Sequence, residues 1–183
     1  MLNKVNIIED FYNDDDLGKV TLAYNLKSYT ATYQPKDIFY PNRLKAMPCY
    51  ETNMFASDDL ILKMFVNTFQ QKTNLNIENV FTFFRKTKSE EIQKSAFYKA
   101  GSPPHVDDTI FDVAGLVYLN TFSIKDGTSI FTYKNQYEPD IIVGSKPNRC
   151  IFYNADMYHT ANYDLDNEDR FIQPFFIKLK GGK

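Results

Sequence analysis

The sequence predicts a mainly β protein with flanking helices, built as a sandwich or barrel. Three observations predict it. Apolar stripes at helical period fall within the first 73 residues. From Ile77 onward, short apolar runs recur instead, bounded by turn residues such as Asp126-Gly127, Gly144, Pro147 and Asp166-Asn167. Many short strands at such spacing belong to β-sandwiches and barrels. Helices first and strands afterwards place the helices on one outer face of a β core.

In chain order, Val5 to Ile8 is a short apolar strand. Asn13-Asp14-Asp15-Asp16 reads as a helix entrance, because acidic groups favour the positive end of the helix dipole. Leu17, Val20, Thr21 and Tyr24 follow at helical spacing. Residues 34–53 are irregular, broken by Pro35, Pro41 and Pro48. A second helix has Ser57 as its expected N-cap and Asp58 and Asp59 in its first turn. Its stripe of Leu60, Ile61, Met64, Phe65, Thr68 and Phe69 is a core face. Strands are expected at Val80–Arg85, Ser95–Tyr98, Ala114–Leu119, Thr128–Tyr133, Ile141–Val143, Cys150–Tyr153 and Phe171–Leu179. Thr87–Glu91 reads as a polar hairpin. Pro174 cannot donate to a ladder, so a bulge or an edge position is expected there.

The chain has 183 residues, 43% of them hydrophobic, which suits one domain with a helical buttress over 10–73 and a β core over 77–180. The formal net charge of -2 gives no strong pull toward nucleic acid or membrane, and neither is an expected partner. No apolar run reaches a membrane span, and the first residues lack a signal-peptide core, so a cytoplasmic protein is expected. Cys49 and Cys150 are then expected as reduced thiols.

The chain holds only two histidines, His105 and His159. The first lies in Pro103-Pro104-His105-Val106-Asp107-Asp108. Residues two apart in an extended segment point the same way, so His105 and Asp107 converge while Asp108 turns aside. His159 comes 54 residues later, just after the strand Cys150–Tyr153. Two imidazoles and one carboxylate leave three adjacent metal positions open, which suits non-haem Fe(II) and O2 chemistry. A 2-oxo acid can chelate two of those positions. Its distal carboxylate then needs a buried cation, and Arg170, eleven residues after His159, offers a planar fork.

At these residues the sequence resembles the 2-oxoglutarate/Fe(II) dioxygenase superfamily, above all prolyl-4-hydroxylase-like proteins and small stand-alone bacterial and phage members. The likeness runs through Ile7–Tyr12, Phe97–Gly101, His105-Val106-Asp107, Ala114–Asn120, Asp126–Phe131 and Arg149–Tyr153. It implies a double-stranded β-helix (jelly-roll, cupin-like) core. It implies Fe(II), 2-oxoglutarate and O2 as cofactor and co-substrates, and hydroxylation with release of succinate and CO2. His105, Asp107 and His159 would be the catalytic metal ligands, and Arg170 would bind 2-oxoglutarate. Two departures stand out. Asp126-Gly127 has one glycine where the family often has two, and Ile172 stands where many members have Ser or Thr. The resemblance offers Tyr118 as the replacement hydroxyl, with Tyr98 and Thr128 behind it.

The alternatives are a non-catalytic jelly-roll binding module with incidental histidines, and a cupin-like metalloenzyme, whose sites commonly use three histidines. The primary substrate, peptide or small metabolite, is not legible. Phe39, Tyr40, Arg43 and Tyr50 are candidates for its pocket, as is the loop 121–139.

Overall fold

The structure is a computed structural model that describes residues 5–31, 49–94, 104–107, 110–164 and 169–182. Tyr98, Asp108, Phe39, Tyr40, Arg43 and the expected strand at Ser95–Tyr98 lie outside those residues.

Eleven strands and three helices occur among them. They are β1 (Asn6–Ile8), α1 (Asp14–Leu26), β2 (Thr30–Ala31), β3 (Cys49–Glu51), α2 (Leu60–Thr73), β4 (Ile77–Thr82), β5 (Arg85–Thr87), α3 (Ser89–Lys94), β6 (Val113–Tyr118), β7 (Ser123–Phe131), β8 (Ile141–Ser145), β9 (Cys150–Asn154), β10 (Tyr158–Asn162) and β11 (Arg170–Leu179). No described helix is long and apolar enough to cross a membrane. Neither cysteine is in a disulfide.

The larger sheet runs β1-β9-β6-β11-β5-β3-β2, with β4 also pairing β11. The smaller runs β10-β7-β8. All these pairings are antiparallel. Along the larger sheet, successive side chains serve two cores, as the pleat requires. Val113, Val117, Cys150, Phe152, Phe175 and Ile177 pack with the helices. Ala114, Tyr118, Ile151, Tyr153 and Ile172 face inward and meet Ile130 and Val143 of the smaller sheet. The helical side holds Phe11, Phe65 and Phe69, all 0% exposed. Each such side chain stabilises the fold by roughly 1.5–3 kcal/mol on burial.

The helix starts follow side-chain caps. Asn13 accepts from the Asp16 N–H at 2.9 Å, as its place before the aspartates predicts. The second cap differs from expectation. Asp59, not Ser57, accepts from the Ile61 N–H at 2.8 Å, so α2 begins two residues later. The carboxylate outcompetes the serine because it also pairs with Lys27 at 3.0 Å.

Three further expectations are corrected. The polar stretch after Thr87 enters the short helix α3 rather than a hairpin. The strand placed at Thr128–Tyr133 is β7, running from Ser123 to Phe131. Pro174 lies in a central strand, and the register irregularity falls later, at Lys178/Leu179. A break in the neighbouring strand accommodates the proline. β5 covers Arg170–Ile172, β4 covers Phe175 onward, and residues 83–84 lie between them. The Pro174 carbonyl points toward β4, accepting from the Thr82 hydroxyl at 2.7 Å. In a strand, a residue's nitrogen points the same way as its carbonyl, so the missing N–H falls in that gap.

Candidate metal and 2-oxo acid site

His105, Asp107 and His159 come together. His105 forms an isolated antiparallel bridge with His159. The His105 N–H donates to the His159 carbonyl at 3.0 Å, and the His159 N–H returns to the His105 carbonyl at 2.8 Å. Directly paired residues share a face, so the two rings meet at 4.4 Å between centroids. The Asp107 N–H donates to the Ala155 carbonyl at 3.1 Å, which holds the segment extended and sets Asp107 beside His105. Donor atoms of the three side chains lie within 4.8 Å of one another. Asp107 Oδ2 is 3.4 Å from His159 Nε2.

The ring of His159 is oriented from behind. Its Nδ1 lies 3.0 Å from the Met157 carbonyl, which can only accept. Nδ1 therefore carries the proton, and the Nε2 lone pair faces the other two donors. Burial lowers the pKa of His159 and so favours this neutral form. At Asp107 burial raises the pKa, with His105 and Arg85 opposing. A carboxylate packed beside two imidazoles is a donor set awaiting positive charge. His105 is exposed and His159 buried, so the cluster is open on one side.

Arg170 starts β11 and is 3% exposed. It shares the inward face with Ile172. One terminal nitrogen donates to the Asn162 carbonyl at 3.3 Å and the other to the Gly127 carbonyl at 3.2 Å. Each terminal nitrogen keeps a second hydrogen, so the fork still has two donors to give. The guanidinium lies over the rings of Tyr118 (5.4 Å) and Tyr163 (5.3 Å). Its Nε is 3.6 Å from Asp126 Oδ1. Arg170 Nε and both Asp126 oxygens are buried without a hydrogen bond of ordinary geometry. Burial pulls the Arg170 pKa down, but Asp126, Tyr163 and Tyr118 together outweigh it and raise it. Burial raises the Asp126 carboxyl, with Arg170 opposing. Of the two partners, the arginine sets the charge state: guanidinium stays protonated in proteins.

Ile172 pairs directly with Tyr118, whose hydroxyl lies 2.9 Å from Thr128 Oγ1. Tyr118 and Thr128 thus stand together beside Arg170. Tyr50, by contrast, turns to the other face of the sheet. It pairs with Lys86, whose ammonium lies over Phe171 on the helical side, and its hydroxyl donates to Glu91 at 2.8 Å.

Sequence reasoning missed five residues of this region. Tyr153 packs on the His159 ring at 4.9 Å, Tyr163 stacks on Arg170, and Asp126, Arg85 and Glu51 bring buried or half-buried charge. Only Asp126 left a signal, a charged residue where the family turn has glycine.

No protein-family model matches the chain, and no curated protein sequence matches it. Solved structures do. A 2OG-Fe(II) oxygenase family oxidoreductase from Burkholderia pseudomallei superposes with TM-score 0.61 at 9% identity, over 95% of this chain and 85% of that one. HygX from Streptomyces hygroscopicus, solved with nickel and 2-oxoglutarate bound, gives TM-score 0.59 at 8% identity, over 95% and 82%. A Pseudomonas putida prolyl-4-hydroxylase gives TM-score 0.56 at 10% identity, over 97% and 93%. The chain therefore has the double-stranded β-helix fold of the 2-oxoglutarate- and Fe(II)-dependent oxygenases.

Proposed function

We propose that the protein is a non-haem Fe(II)- and 2-oxoglutarate-dependent oxygenase. One observation carries the reading. The protein has a convergent His105–Asp107–His159 donor set and, on the inward face of the larger sheet, a buried arginine whose fork keeps two hydrogens unspent. His105, Asp107 and His159 would hold the metal on one face, leaving adjacent positions for a chelating 2-oxo acid and dioxygen. Arg170 would receive the distal carboxylate of 2-oxoglutarate, with Tyr118 or Thr128 adding a hydroxyl. With iron and keto acid bound, the centre would activate O2, yielding succinate and CO2 and placing the second oxygen atom in a substrate C–H bond. The apolar lining from Ile130, Ile151 and Ile172 would limit water.

Anaerobic titration with Fe(II) and then 2-oxoglutarate tests this, followed by succinate release on admitting air. Saturable binding of both, lost in His159→Ala, is the expected result. A pure, folded protein that binds neither metal nor keto acid leaves a non-catalytic jelly-roll module as the reading.

A further inference from the structure

The larger sheet extends past Arg170 through β5 and β3, and one ion pair on this extension lies on the inward face. Ile172 pairs with Arg85, and Arg85 with Glu51. Ile172 belongs to the inter-sheet core, so both charged side chains stand on the inward face. The Arg85 Nε and Nη2 atoms both reach Glu51 Oε1 at 2.6 Å. The side chains are 30% and 21% exposed, so the pair is neither sealed in nor freely solvated. Arg85 also lies over the Phe83 ring at 5.5 Å, which fixes its plane. It is near enough to Asp107 and to Arg170 to act on the charge of both. The pair therefore stands on the same inward face as Ile172 and Arg170, one and two strands along from them.

The pair engages one Glu51 oxygen and one edge of the guanidinium. Glu51 Oε2 and Arg85 Nη1 lie outside it. A simple anion on the open Nη1 would leave the group with a net negative charge, and a simple cation on Oε2 with a net positive one. Either costs the desolvation of an unpaired charge. A zwitterion avoids both costs, because its carboxylate meets Arg85 while its ammonium meets Glu51, and the four charges alternate. Resting on the oxygenase reading above, we propose that Arg85 and Glu51 form the recognition site for the head group of a free α-amino acid, whose side chain is presented to the metal.

The test uses the full chain with Fe(II), ascorbate and 2-oxoglutarate, challenged with the twenty protein L-amino acids singly. Succinate release and oxygen incorporation are measured. At least one free amino acid is expected to stimulate turnover and gain one oxygen atom. Its carboxamide and its N-acetyl derivative should each lose roughly 10- to 100-fold in kcat/KM, the worth of a charged hydrogen bond. Arg85→Gln and Glu51→Gln should each raise the amino-acid KM by a similar factor. Calorimetric titration with 2-oxoglutarate in each variant reports folding separately, and its dissociation constant should stay within about threefold, since neither residue is assigned to that ligand. Equal use of the amide or N-acetyl derivative overturns the proposal. So does a protein that binds and uncoupledly consumes 2-oxoglutarate yet responds to no free amino acid, a result that leaves the oxygenase reading standing. Failure to bind metal and keto acid removes both.

Discussion

Asp126 and Arg170 face each other inside the protein at 3.6 Å, and the carboxylate oxygens make no ordinary hydrogen bond. The carboxylate occupies the Nε edge of the guanidinium, while the Asn162 and Gly127 carbonyls hold its terminal nitrogens. Two opposite charges are thus buried side by side. Asp126→Asn should destabilise the free protein by about 3–5 kcal/mol, as an uncompensated buried guanidinium does. The same change removes a charge that repels an incoming carboxylate. The thermal shift caused by saturating 2-oxoglutarate should therefore be larger in Asp126→Asn than in the wild type. A smaller shift would show that Asp126 does not oppose the ligand.

Arg170→Ala should raise the 2-oxoglutarate dissociation constant by roughly 10- to 100-fold, from the loss of a charge-assisted bidentate contact. Metal binding should persist, because the three donors sit on other segments. Arg170→Lys keeps the charge but not the fork and should recover only part of the affinity. Metal content after gel filtration, beside calorimetric titration, separates the two effects.

Gly127→Ala should weaken 2-oxo acid binding without touching a charged group. A Cβ there collides with the Val143 carbonyl, which is backbone and cannot swing aside. Relief requires β7 to move away from β8, and the Gly127 carbonyl that anchors Arg170 moves with it. A loss of severalfold or more in affinity is expected, with about 1–3 kcal/mol of lost stability. Unchanged affinity in a destabilised protein would detach Gly127 from the pocket.

Glu9 ties the first strand to the turn before β9, at 3.0 Å from Lys146 and 2.7 Å from Arg149. Burial is the largest single influence and raises its pKa, but the hydrogen bonds and charges of Arg149 and Lys146 together outweigh it, and the net pKa is lowered. A depressed carboxylate pKa stabilises the fold above the unfolded-state value and loses that contribution as pH falls through the folded value. Glu9→Gln should cost under about 1 kcal/mol at neutral pH, because the pair is half-exposed. Urea unfolding of both proteins should show this gap closing below about pH 4, near the unfolded carboxylate value. A gap that widens in acid would contradict the sign.

Much of the β core was legible because β6, β9 and β11 carry apolar residues on both faces, which leaves continuous runs in the sequence. The donor set was legible because the chain has two histidines and the period of two picks out Asp107. β10 was not. Tyr158-His159-Thr160-Ala161-Asn162 is half polar, and it is a strand because β7 and the His105 segment pair with it. The extension through β3 and β2 was hidden for the same reason. Strands of two or three residues have too little period to detect, so nothing in the sequence singles out Arg85 and Glu51. Asp126 and Arg170 are 44 positions apart, and no local pattern announces that a turn residue will face a strand residue.

The bridge between His105 and His159 also bears on how the site would acquire and release an ion. Two of the three donors are spliced through their main chains, so neither can withdraw without peeling the edge of the smaller sheet. Loading would then be an event of capture rather than assembly, with little rearrangement to slow it. Asp107 stands outside that bridge, held by its N–H to Ala155 and 3.4 Å from His159. A bound ion would be released through that carboxylate, and a chelator would pull against it first.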